Sequence, residues 1–282
     1  MPVLNRRQFM VSSLGLGAVA AHAKGEGMRL GLVTYQWGKD MDLPTLISVC
    51  EKSGVLGVEL RTEHAHKVEP NLTKAQRHEV RKRFADSPVT LVGYGSNAQF
   101  HENDPGKVEA NIELTKKYIQ LMHDCGGSGV KVKPNGFVPD MPRERTIEQI
   151  GKSLNVVGKY GADFGQQIRV EVHGRGTSEL PVMKAIMDVA DHPNVAVCWN
   201  SNPTDLEGEG LEYNFNLVRD RFGSTAHIHE LDGGDYPYGR LFKLFADMDY
   251  KGWLLIEASE RPGDKVPALV AQKKAFERLV GR

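Results

Sequence analysis

An α/β fold, a single-domain (β/α)8 barrel of the TIM type, is the architecture this sequence predicts. Three observations carry the expectation. Eight short apolar runs have strand length, each is followed by a stretch with helical spacing, and no linker or change of composition interrupts the alternation. Arg29–Thr34 leads into a helix over Leu43–Ser53, opened by Asp42-Leu43-Pro44. Gly57–Arg61 leads into Lys74–Ala85 after Asn71-Leu72-Thr73, Val89–Tyr94 into Pro105–Cys125, and Gly129–Lys133 into Thr146–Phe164. Ile168–His173 leads into Leu180–Ala190, with Ser178-Glu179-Leu180-Pro181 as the start signal. Val195–Trp199 precedes Gly210–Phe222, Ala226–Glu230 precedes Tyr238–Met248, and Trp253–Glu257 precedes the closing stretch Val266–Val280. A doubly wound open sheet is the rival fold. Against it, no strand is followed by G-x-G-x-x-G, and Gly93-Tyr94-Gly95 lacks a third glycine at the required offset.

Charge and composition narrow the function. The 36 Lys and Arg balance 36 Asp and Glu. Binding to phosphate backbones needs a basic excess, so nucleic acid is not an expected partner. Beyond the N-terminus no apolar run approaches the roughly 18 residues of a membrane span. Cys50, Cys125 and Cys198 show no C-x-x-C spacing, and each lies in an apolar context. They read as small buried residues rather than ligands.

The N-terminus reads as an address. Arg6-Arg7-Gln8-Phe9-Met10 is a twin-arginine pattern, a mildly apolar stretch runs to Ala21, and Ala21-His22-Ala23 offers an A-x-A cleavage site. The expectation is an export signal over residues 1–23, a barrel over 24–282, and a periplasmic location. Cleavage there leaves a chain close to the roughly 250 residues of a bare barrel.

In such a barrel the chemistry sits at the carboxyl ends of the strands. The fifth run ends in Glu171-Val172-His173, the sixth in Trp199-Asn200-Ser201-Asn202, the seventh contains His227-Ile228-His229, and the eighth ends in Ile256-Glu257. Residues two apart share a strand face, so Glu171 and His173 are paired, as are His227 and His229. Oxygen and nitrogen donors from four successive strands suit one divalent metal ion: Mn, Mg, Co or Zn. Lys131 and Lys133 share a face of the fourth run and are candidates to hold a substrate oxyanion. His173, Arg175 and Asn202 are further substrate-binding candidates. Glu59, Glu63, His64 and His66 follow or close the second run, and His64-Ala65-His66 reads more as loop surface than as a metal pair.

Together, Gly57-Val58-Glu59-Leu60, Val170-Glu171-Val172-His173, His227-Ile228-His229 and Ile256-Glu257 resemble the xylose isomerase-like barrel superfamily. That group contains sugar isomerases and epimerases as well as AP-endonuclease-type barrels. The resemblance spans essentially the whole chain after the signal. It implies one divalent metal held by Glu171, Asn200, His229 and Glu257, with His227 the alternative to His229, and it makes Glu171 and Glu257 the catalytic pair. The family's strand-six Asp is Asn200 here, so the site carries one negative charge fewer.

The chemistry implied is proton abstraction and return beside a sugar carbonyl through an enediolate, as in an isomerase or epimerase. The alternative is a lyase or hydratase that begins with the same abstraction on 3-keto-glycosides. Asn200 and the export signal both favour that alternative. A barrel that only binds sugar, and a barrel nuclease, are weaker readings. Export points to a free sugar or keto-sugar rather than a phosphosugar, since Lys133 and Arg175 form no phosphate nest. A homo-oligomer stays open.

Overall fold

The computed structural model describes residues 27–281. The twin-arginine pattern and the A-x-A site lie outside the described residues. Eight parallel strands alternate with eight helices: β1 (Arg29–Val33), α1 (Leu43–Ser53), β2 (Gly57–Arg61), α2 (Lys74–Ala85), β3 (Thr90–Gln99), α3 (Pro105–Cys125), β4 (Gly129–Lys133), α4 (Arg143–Asp163), β5 (Gln167–Glu171), α5 (Leu180–Val189), β6 (Val195–Cys198), α6 (Leu211–Val218), β7 (Thr225–Ile228), α7 (Tyr238–Asp247), β8 (Trp253–Ile256) and α8 (Lys265–Leu279). Neighbours pair in the order β6-β5-β4-β3-β2-β1-β8-β7. The β6/β7 seam is closed by single bridges, Asn200 to His227 and Val197 to Phe222. The architecture is a nearly closed, single-domain TIM barrel.

The helix starts have local causes. Asp42 caps α1 by accepting from the Thr45 amide at 2.9 Å. At α2 the cap is Thr73 rather than Asn71, in a reciprocal box with Gln76. Glu179, not Ser178, precedes α5 and makes no side-chain cap. The expected single helix over Gly210–Phe222 is shorter, with a 3-10 turn over Arg219–Arg221 continuing α6.

Alternation along the strands separates two apolar clusters. Leu30, Leu32, Val58, Leu60, Val130, Val170 and Ile256 belong to the main core between sheet and helices. Val33, Val92, Trp253 and Leu255 form a second, smaller cluster inside the barrel. Polar side chains also point inward: Glu59, Lys131, Arg169, Glu171 and His227 are each at most 1% exposed. Cys50, Cys125 and Cys198 are buried free thiols, as their apolar context suggests. No helix among the described residues is long and apolar enough to cross a membrane.

Candidate active site

The carboxyl ends of β5, β7 and β8 bring Glu171, His227 and Glu257 together. One potential ligand atom from each lies within 4.8 Å of the other two, and all three residues are buried. His227 Nδ1 is 3.5 Å from Glu171 Oε1 and 3.4 Å from Glu257 Oε2. Its other nitrogen, Nε2, stands 3.1 Å from Glu59 Oε1. A carboxylate only accepts, so Nε2 carries the proton and Nδ1 is left facing the two glutamates. Within the His-Ile-His run, His227 is therefore the imidazole of this group. His229 is turned aside: its Nδ1 donates to the Glu257 backbone carbonyl at 3.0 Å. It lines a separate cavity of about 610 Å³ with Trp37, Tyr236, Tyr238 and Arg261.

Each carboxylate also has a cationic partner. Lys131 Nζ donates to Glu171 Oε2 at 2.5 Å, with the two side chains 0% and 1% exposed. Arg61 donates to Glu257 Oε1 at 2.8 Å and lies over the Tyr35 ring. Asn200 Nδ2 donates to Glu171 Oε1 at 3.1 Å, while its Oδ1 has no partner among the described residues.

Ionisation follows from these contacts. Burial pushes the Glu171 carboxyl up, but Lys131 and His227 outweigh it and hold Glu171 well below the usual carboxylate range. Burial and the neighbouring Glu171 push Glu257 up, yet His227 and Lys131 bring it down to about 2. Burial disfavours a charged His227, but the Cys198 sulfur, Glu59 and Glu257 raise its pKa well above the usual value. The carboxylates around it thus favour a positive charge at His227 Nδ1, from a proton or a metal ion. Two carboxylates, one imidazole nitrogen and an orphaned amide oxygen are a donor set that fits a divalent ion.

The remaining sequence candidates fall into two groups. Lys133 stays at the rim and donates to Asn97 Oδ1 at 3.3 Å; burial and the nearby Lys131 lower its pKa to about 8. His173 is half-buried beyond β5, with a buried Nδ1 that has no partner. Asn202 lies in the loop after β6, where its amide donates to the Val172 and Asn200 carbonyls. Arg175 is exposed, and its side chain has no hydrogen bond or ion pair among the described residues. His64 bonds Thr34 Oγ1, while His66 bonds the Arg61 carbonyl and the Val68 amide, so both serve the loop after β2.

Sequence reasoning missed Arg61 and understated Glu59 and Lys131. The signal was available in the period of two: Glu59 and Arg61 share a face on β2, as Lys131 and Lys133 do on β4. Arginine or lysine at a strand end reads by default as solvated, and only the tertiary partner shows otherwise.

Comparisons with known proteins place the fold. The chain is 20% identical over 197 residues to inosose dehydratase of Bacillus thuringiensis (strain Al Hakam), a match covering 55% of this chain. It spans 65% of the length of that relative, less than two thirds. The crystal structure of 3-keto-D-glucoside 4-epimerase YcjR from E. coli superposes with a TM-score of 0.74 at 14% identity, covering 90% of this chain and 100% of that one. The IOLI protein with a bound zinc atom superposes with a TM-score of 0.74 at 15% identity, covering 90% and 98%. At these identities the structures share the fold alone. Residues 47–279 match the family described as xylose isomerase-like TIM barrel, most of the chain, and it is to that family that this protein belongs.

Proposed function

We propose that the protein is a divalent-metal-dependent sugar isomerase or epimerase, moving a proton beside the carbonyl of a free sugar or keto-sugar. The observation that carries this reading is the convergence of Glu171, His227 and Glu257 from three strand ends in a buried pocket. Glu171, His227, Glu257 and the Asn200 amide oxygen are the residues that would hold the ion. A bound divalent cation supplies positive charge to the substrate oxygens as the C–H proton leaves, which stabilises the enediolate.

The chain's own side chains do the rest. Glu171 and Glu257 are kept ionised by their neighbours, so each meets the substrate in the unprotonated form that a general base requires. One removes the proton next to the carbonyl and the other returns one, to the opposite face for epimerisation or to the neighbouring carbon for isomerisation. Glu59 holds the His227 ring in a single orientation. Burial of the cluster keeps bulk water from quenching the carbanion.

A second reading is a lyase or hydratase on a 3-keto-glycoside. Lys133 favours it: a half-buried ammonium with a pKa near 8 at the rim is suited to give a proton to a departing oxygen. The neutral Asn200 in place of a carboxylate points the same way.

The experiment is to incubate metal-loaded protein with a panel of sugars and keto-glycosides in D2O and follow solvent exchange by NMR. Deuterium entering a recovered sugar or its epimer supports the first reading, and loss of a β-substituent supports the second. Glu171→Gln and Glu257→Gln should each lower turnover by about 10² to 10⁴. Near-normal rates in both would sink the two-carboxylate mechanism. The reading extends to location: the Arg6-Arg7 pattern directs export, and replacing both arginines by lysine should leave the protein in the cytoplasm. Undiminished export would remove that part.

A further inference from the structure

The candidate ligands are balanced in charge by the chain itself before any ion arrives. Glu171 is paired with Lys131 at 2.5 Å, and Glu257 with Arg61 at 2.8 Å. Asn200 adds an amide oxygen and no charge. An ion entering this group meets two carboxylates whose fields are already offset by two cations.

The lysine's position is built rather than incidental. Lys131 lies on β4 with its Cα paired to Gly95 on β3 and Arg169 on β5. A Cβ on Gly95 would stand 2.9 Å from Glu59 Oε1 and 3.4 Å from Lys131 Cε, so the missing side chain there leaves room for both. Lys131 is 0% exposed, and its ammonium hydrogen-bonds no side chain other than Glu171 among the described residues. A buried ammonium is tolerated only when paired, so this one is committed to the proposed ligand.

We propose that Lys131 is a resident counter-cation that competes with the divalent ion for Glu171 and keeps that ion weakly held and exchangeable. The inference rests on the metal-binding reading above and concerns how tightly the site binds. In a medium of low dielectric, the attraction of Glu171 for the ion is opposed by a like charge on the same carboxylate. Lys131 sits on Oε2 while Oε1 faces His227, so ammonium and ion would share one carboxylate and oppose each other through charge rather than by contesting the same oxygen. Lys131 is thus a positioning residue acting through Glu171.

The test needs no substrate. Mn²⁺ is titrated into metal-free protein and followed by its EPR signal, comparing the wild type with Lys131→Met. Removing the ammonium should tighten Mn²⁺ binding at least tenfold. Lys131→Gln, which keeps a hydrogen-bond donor for Glu171 without the charge, should tighten it in the same direction, and it serves if the Met variant does not fold. Equal or weaker binding in a folded variant overturns the proposal while leaving the metal reading intact. Absence of Mn²⁺ binding in wild type and variants alike removes the metal reading, and the proposal with it.

Discussion

The floor and the rim of the barrel interior are made from the same eight strands, one inward step apart, yet they are stabilised differently. At the floor, Trp253 and Leu255 on β8 fill space that glycines on β1 and β2 leave open. A Cβ on Gly57 would overlap the Trp253 ring, and one on Gly31 would sit 2.5 Å from Leu255 Cδ2. Arg169, a fully buried floor cation, has no carboxylate partner among the described residues and is satisfied by the Val92 carbonyl, Ser128 Oγ and Gln167 Oε1. At the rim, space is filled by opposite charges: Glu171 with Lys131, Glu257 with Arg61, Glu59 with His227. The floor is therefore expected to be sensitive to added volume, and the rim to a charge left without its partner.

The sharpest way to break this contrast is to strand a rim charge. Glu171→Ala leaves Lys131 buried and alone, which costs about 3–5 kcal/mol when a buried pair loses one member. Adding Lys131→Met should restore much of that loss, because the desolvated ammonium is gone. Chemical denaturation of the two single variants and the double variant measures the coupling. Additive losses would show that the pair is not an energetic unit.

Next in size is added volume at the floor. Gly57→Ala drives a methyl into the Trp253 ring, which is backed by the Arg29 guanidinium 4.2 Å from its centroid and has little room to retreat. Overpacking of this kind costs about 1–3 kcal/mol. Melting temperature should fall while metal binding is retained. A variant as stable as the wild type would mean the floor is looser than its contacts indicate.

How much of this was legible in the sequence differs between the two layers. The strand and helix alternation was readable because buried parallel strands and amphipathic helices have different periods, and α1, α2 and α3 have the bounds their spacing predicts. Strand ends were less readable. The runs to His173, Glu230 and Glu257 continue past the last ladder residues Glu171, Ile228 and Ile256. In β3 the error runs the other way: the strand continues to Gln99 through a polar stretch that no apolar count would include. At the rim, Glu171 and Glu257 were visible as carboxylates at strand ends. Their partners were not, since Arg61 and Lys131 are more than 35 residues away from them in sequence. The bonds of Asn202 were unreadable for a related reason: it follows β6 in a loop, where alternation no longer says which way a side chain points.

The smallest expected effect comes from the residue the period of two could not separate from its neighbour. His227 and His229 occupy the same face by spacing, but β7 ends at Ile228, so the second ring has left the ladder and bonds the Glu257 carbonyl. Replacing His229 with Gln removes one hydrogen bond between a side chain and the backbone. That is worth about 1 kcal/mol, and Gln can reach the same carbonyl with its own amide. Stability should change little, and Mn²⁺ affinity should stay within about threefold. That factor corresponds to less than about 1 kcal/mol. His227→Gln should behave differently, because it takes the imidazole nitrogen out from between Glu171 and Glu257 and leaves Glu59 without its donor. Parallel Mn²⁺ titrations of the two variants decide the matter. If His229→Gln loses the ion and His227→Gln keeps it, the ligand assignment is reversed, and the rim pocket has to be rebuilt around the outer ring.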